Sequence, residues 1–427
     1  MTVANSLFPT LAPHSERAAV LGEVHARPFH PLPTPARLIH FAFMTDAAEA
    51  AEARADLMEF CRARGLHGPD PGSKHFRLTL GGQSLRFEQH SEFVTYTLEV
   101  PGGAETPFLP AAGDLASAFA GLKQPGRHLV SVDLHLLRAV EEMVLDELFD
   151  ASSLAASTVL GGRAVVGCDF LPVNGFVRIL VIDRGLDPAS AGALALRLLE
   201  IETYRLLALL GLPEAQRRAP DVAEAETALA SISNSLVAGG GSDDHALLDR
   251  LTALAAKVEA EATAAAFRFG ASRAYEGIVQ QRLIAIGEAP VGMRPTLAAF
   301  LSRRLQPAMR TCHMLQERMG ELSVKLARAS NLLRTRVDVE IERQNRDLLH
   351  SMNERTRMQL RLQQTVEGLS VAAIAYYVVS LLSYVFKAAH ETGYMKMEPG
   401  VAAALSVPVA LIAIALIVRR IRGRHLD

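Results

Sequence analysis

Residues 369–386 read LSVAAIAYYVVSLLSYVF, and residues 401–418 read VAAALSVPVALIAIALIV. Each run is 18 residues long and carries no charged side chain. That length is near the lower limit for an α-helix crossing the hydrocarbon core of a bilayer. A helix in a soluble core shows one apolar stripe, whereas these runs are apolar on every face. The expected structure is therefore a transmembrane hairpin, with a buried soluble hairpin as the alternative. The first run holds the hydroxyls of Tyr376, Tyr377, Ser380 and Ser383, and the second is broken only by Ser406 and Pro408.

The flanking charges give the runs a direction. Arg355, Arg357 and Arg361 precede the first, and Arg419, Arg420, Arg422 and Arg424 follow the second. The intervening loop, 387–400, has only Lys387 and Lys396, so the flanks lead by seven basic residues to two. The positive-inside rule then places both termini in the cytoplasm and the loop outside. The stretch Met1 to Arg17 lacks the basic and apolar regions of a signal peptide. The expected location is a bacterial inner (plasma) membrane, with the lipid bilayer as partner.

Composition excludes several function classes. Cys61, Cys168 and Cys312 are few and widely spaced, which gives neither a disulfide framework nor a zinc pattern. The 44 basic and 46 acidic residues nearly cancel. No basic excess marks a nucleic-acid binder, and none is expected as a partner. No P-loop, HExxH motif or Ser–His–Asp order is present, so no cofactor, metal or catalytic residue is expected.

Periodicity divides the remainder into zones and predicts an α+β fold. Residues 1–215 read as a cytoplasmic domain with a mixed, largely antiparallel sheet. Its strands are expected at 38–44, 75–80, 84–90, 93–100, 128–134, 163–170 and 175–182, and its helices at 46–64, 138–149 and 188–210. Asp187-Pro188 is a helix-start signal. Residues 216–306 form a helical region, with helices predicted at 221–236, 243–269 and from 275 to before Pro290. Residues 307–368 form a stalk helix that continues into the first apolar run. Leu315, Met319, Leu322, Leu326, Leu333, Val337, Ile341, Leu348 and Met352 recur at three- and four-residue steps. A helix from 308 to 386 would be ~118 Å long at 1.5 Å per residue. One such helix cannot bury its stripe alone and needs either the chain's other helices or its copies in an oligomer; a homo-oligomer is expected, with Asn345 as a register-setting residue. After the apolar runs, residues 419–427 form a basic tail.

Two resemblances follow from particular residues. The segment Glu23-Val24-His25-Ala26-Arg27-Pro28-Phe29, with Pro35-Ala36-Arg37, resembles the signature of an uncharacterised bacterial family of membrane-anchored proteins. Residues Gln364 to Ile374, with Tyr376-Tyr377, resemble that family's second signature. The resemblance spans nearly the whole chain and implies no activity. The plan of an α/β domain, long helix and two spans is also similar to the CorA family of magnesium channels. That likeness implies a pentamer whose first span lines a pore. The family's external loop begins Gly-Met-Asn, whereas this chain has Gly393-Tyr394-Met395-Lys396. Lys396 would repel a cation, which argues against magnesium selectivity.

Two groups of residues carry candidate chemistry. Glu23, His25, Arg27 and His30 lie within eight residues, stiffened by Pro28, Pro31, Pro33 and Pro35. In an extended segment the side chains at 23, 25 and 27 project to one side. That arrangement fits a ligand site or an acid–base pair, or alternatively a latch to the domain. In the first span, Tyr376, Tyr377, Ser380 and Ser383 either pack helix against helix or line a pore, with Gln364 and Glu367 at its cytoplasmic mouth. The functions in view are a CorA-like homo-oligomeric ion conduit, a membrane-tethered scaffold or sensor, and an enzyme using Glu23, His25 and Arg27.

Overall fold

Alternation in the strand at 93–101 determines how the domain is layered. In the computed structural model, which describes residues 14–17, 20–21, 30–70, 72–102, 106–112, 120–139, 145–238 and 244–424, this strand is β4 (Phe93–Pro101). Val94, Tyr96 and Leu98 enter one core, and Phe93 enters another on the opposite face. The first core is closed by α1 (Ala47–Arg62) through Ala50, Ala53, Leu57 and Phe60. Asp46 caps α1, accepting from the N–H groups of Ala48 and Glu49, while Glu49 accepts from the Asp46 N–H. That reciprocal box satisfies donors the first turn would otherwise leave free.

The remaining strands are β1 (Ala36–Met44), β2 (His75–Leu80), β3 (Gln83–Gln89), β5 (Arg127–Arg138), β6 (Ala155–Val159), β7 (Ala164–Val173), β8 (Phe176–Asp183) and the two-residue β9 (Ala289–Pro290). They form one sheet in the order β2-β3-β4-β1-β5-β8-β7-β6-β9. Among the described residues only β5–β8 pairs in parallel, and every other pair is antiparallel. Asn174 and Gly175 both have positive φ and form the two-residue turn between β7 and β8, the geometry that matches strand twist. β7 bulges between Cys168 and Pro172, and Phe170 sits there at φ 57°.

Helices complete the architecture: the four-residue α2 (Leu145–Leu148), α3 (Pro188–Leu209), α4 (Gly211–Ala238), α5 (Asp244–Ile286), α6 (Leu297–Glu391) and α7 (Pro399–Arg424). Asp187 caps α3 and Pro188 opens it, as its sequence predicts. The α3 face Leu194, Leu198, Ile201 packs over β1, β5 and β8, joined by Val279 and Leu283 of α5 and Phe300 and Leu301 of α6. The root of α6 is tied to the sheet. Ser157 of β6 accepts from the Leu297 N–H, and Glu288 accepts from both the Ala298 N–H and the Ser157 hydroxyl. The chain divides into two compact units, Met1–Gly239 with Asp249–Ala329, and Gly240–Leu248 with Ser330–Asp427.

Several boundaries differ from expectation. The helix predicted at 138–149 is strand up to Arg138, and its described remainder is only α2. The helix predicted at 221 begins at Gly211 and runs through Pro220. The segments 243–269 and 275–290 are one helix. α6 starts at Leu297 rather than 308 and passes Pro307. A proline inside a helix costs about 3 kcal/mol. Burial of Phe300, Leu301, Leu305 and Met309 on the core around Pro307 offsets it. Strands β6 and β9 have no alternating apolar pattern to announce them.

Candidate functional site

Helices α6 and α7 each contain a stretch long and apolar enough to cross a membrane. A seven-residue connection, 392–398, joins them. Gly393 at φ 83° ends α6, with the Gly393 and Tyr394 N–H groups donating to His390 and Ala389 carbonyls. On α6, Ala375 is buried, and Val371, Val378, Leu382 and Phe386 on the same face are half-buried. Buried positions on α7 are Ala402, Ala410 and Ile414. Most are small side chains, of the kind that lets membrane helices approach closely.

The hydroxyl-bearing residues lie on another face of α6. At ~100° per residue, Ala373, Tyr376 and Ser380 centre more than about 120° from Ala375 and Leu382. Tyr376 and Tyr377 are exposed, and Ser380 and Ser383 are half-buried beside them. The Ser383 hydroxyl donates to the Ser380 carbonyl at 2.6 Å, which satisfies it within the helix. Gln364 is exposed, and by the same rotation both Gln364 and Glu367 lie on the side away from this row.

In the other unit, Glu23, His25 and Arg27 lie outside the described residues. His30 is described. Its carbonyl packs so closely on α3 that a Cβ at Gly192 would come within 1.9 Å of it. The Leu32 N–H donates to the Pro188 carbonyl two residues further on. Burial, with the nearby Arg77 charge, lowers the His30 imidazole pKa.

The sheet face near His30 is unusually polar. Arg77 of β2 pairs with Glu99 of β4, which also accepts from Ser84 of β3. Glu88 lies 3.6 Å from both His75 and Arg86. Burial pushes the Glu88 carboxyl up, but His75 and Arg86 outweigh it and hold it at about 2. His40 of β1 is buried between Thr97 and Thr203. The Thr203 hydroxyl donates to the Leu199 carbonyl, so it accepts from His40 Nε2–H, and His40 Nδ1 accepts from Thr97. Burial lowers His40 to about 3, which keeps it neutral. This imidazole therefore works as a latch between β1, β4 and α3.

A cleft of about 480 Å³ opens beside the β7 bulge. Its floor is a layered stack. Arg205 lies 5.4 Å from the Phe170 ring, Phe170 stacks on Phe300 at 5.0 Å, and Arg304 lies 3.7 Å over Phe300. Glu202 holds Arg205 through two hydrogen bonds. Asp150 and Asp169 on the rim already accept backbone N–H groups. Among the described residues no group of three His, Cys, Asp or Glu side chains is placed to hold a metal.

The sequence reading missed two arrangements. Arg37 and Asp133 form a buried pair, and His135 beside them accepts from the Phe108 N–H. Burial and the Arg37 charge lower His135 to about 4. The only signal was a charge inside each otherwise apolar strand pattern.

Fold and helices thus define an α+β protein with two helices long and apolar enough to cross a membrane. The family described as "Protein of unknown function (DUF3422)" matches residues 12–425, and the chain belongs to it. No curated protein and no solved structure matches the chain. Nothing in these comparisons supports the likeness to the CorA family.

Proposed function

We propose that the protein is a homo-oligomeric conduit for ions in a bacterial inner membrane, with its α+β domain and both termini in the cytoplasm. The observation that carries this reading is the row Tyr376, Ser380 and Ser383 on α6, set apart from the buried face at Ala375. Hydroxyls turned to an oligomer axis give a cation a partly polar path, whereas hydroxyls turned to lipid gain nothing. Gln364 and Glu367 fall outside the row, so the reading rests on the hydroxyls. No Asp, Glu, Lys or Arg lies within 369–386 or 401–418, which favours passive passage over a proton-coupled pump. Purified protein in liposomes should pass monovalent or divalent cations, and Ser380→Leu should reduce the flux at least five-fold. Protein that inserts but passes no cation refutes the conduit.

A second reading, a membrane-tethered sensor, is favoured by the 480 Å³ cleft, whose size and mixed lining suit a small ligand. Its test is a screen of small amphipathic compounds for a rise in the domain's melting temperature, repeated with Leu305→Trp to fill the cleft. Equal shifts in both proteins would remove the cleft from consideration.

A further inference from the structure

The apolar stripe of α6 changes state along its length. Leu326 and Leu333 are completely buried, and Val337 is buried as well. From Ile341 to Leu369 the large apolar residues are exposed: Leu348 by 61%, Leu362 by 66% and Leu369 by 75%. Their spacing is regular. Ile341, Leu348, Leu362 and Leu369 occupy one seam position of a seven-residue repeat, interrupted by Arg355, and Asn345, Met352, Gln359 and Val366 occupy the other. A strict seven-residue repeat drifts around a straight helix and stays on one face only when helices supercoil about each other. The repeat runs on in the same phase to Ala373, Tyr376, Ser380 and Ser383.

Charge placement agrees with a self-complementary seam. The positions bordering it are mostly uncharged, among them Leu349, Ser351, Thr356 and Met358. Arg346, Asp347, Glu354, Arg357 and Arg361 all fall on the outer positions. Two copies facing each other here would meet few like charges across the flanks. Arg355 is the one charged residue on the seam between Ile341 and Leu369.

We infer that residues 341–369 form a parallel, in-register coiled coil with the same segment of at least one further copy of this chain. This rests on the oligomeric reading above and names the contact through which copies meet. The apolar runs that follow at 369–386 fix the direction and height of every copy in one membrane, so each seam layer faces its own counterpart. Asn345 then meets Asn345 and can hydrogen-bond across the seam, an arrangement that specifies register at some loss of stability. The Arg355 layer is the weak point, because its guanidinium groups must turn outward along their aliphatic stems.

The test uses full-length protein in membranes. Cys61, Cys168 and Cys312 are all buried, which leaves introduced cysteines as the reactive ones. Under mild oxidation, Leu348→Cys and Leu362→Cys should each cross-link to a second copy at least five-fold more than Arg357→Cys. A yield for Leu348→Cys no higher than that of Arg357→Cys overturns the seam. Cross-linking only between Leu348→Cys and Leu362→Cys in mixed samples overturns the parallel register. Arg355→Leu should raise the fraction of oligomer surviving detergent, and an unchanged or smaller fraction counts against the seam. Cross-linking without cation flux leaves the seam standing and removes the conduit, and flux without cross-linking does the reverse.

Discussion

Arg37 of β1 reaches Asp133 of β5 through two hydrogen bonds, Nε to Oδ1 at 2.8 Å and Nη2 to Oδ2 at 2.6 Å, in a site closed to solvent. The third guanidinium nitrogen donates to the Pro110 carbonyl at 2.6 Å. The pair thus joins the two central strands to the segment 106–112. Removing one partner would leave the other charge buried without compensation, at about 3–5 kcal/mol. Arg37→Met should lower the unfolding free energy by that order. The double variant Arg37→Met/Asp133→Leu should recover more than half of the loss. Urea titration of the three proteins measures it, and additive losses would show that the pair is not coupled.

His40 makes the domain sensitive to acid. The folded imidazole titrates near 3, against 6.5 for an unperturbed one. Between those values the unfolded chain binds a proton that the folded chain does not, so stability falls as pH drops below 6.5. His135 acts in the same direction, with a folded value near 4. Glu88, held near 2, contributes stability above 4.5 that is lost on further acidification. His40→Asn should reduce the slope of unfolding free energy against pH by up to about 1.4 kcal/mol per pH unit between 6 and 4. Urea midpoints at three pH values would show this, and parallel slopes would exclude His40 as a source.

Gly192 is required by close approach rather than by its φ. Any Cβ there would overlap the His30 carbonyl. Gly192→Val should separate residues 30–32 from α3 and reduce stability by about 1–3 kcal/mol. Limited proteolysis should then cut near His30 faster than in the parent protein. An unchanged cleavage rate would mean that this contact does not hold the segment.

Membrane association rests on the apolar helices. Ile412 is exposed near the middle of the α7 apolar stretch. An arginine at a membrane helix centre is disfavoured by about 2.5–3.5 kcal/mol. Ile412→Arg should therefore lower the fraction that resists alkaline extraction from membranes. Val339→Arg, on an exposed and already charged segment of α6, should leave it unchanged. Equal fractions for both variants would argue that α7 does not enter lipid.

Local patterns carried much of this fold. Asp187 with Pro188 marks a helix start that appears as read, because a cap uses side chains a few residues apart. Alternation at 93–100 anticipated the two faces of β4, since one residue in two must face each core. Glu23, His25 and Arg27 fall outside the described residues. The hydroxyls of the first apolar helix share a face because helical periodicity alone puts them there.

What the chain encodes locally is helix or strand, cap or turn, and the uncharged stretches too apolar for an ordinary exposed helix. The tertiary structure decided the rest: the parallel pairing of β5 with β8, the passage of helices through Pro220 and Pro307, and the meeting of Arg37 with Asp133. Those outcomes depend on side chains from tens to more than a hundred residues apart competing for one core, and no window of local sequence contains that competition.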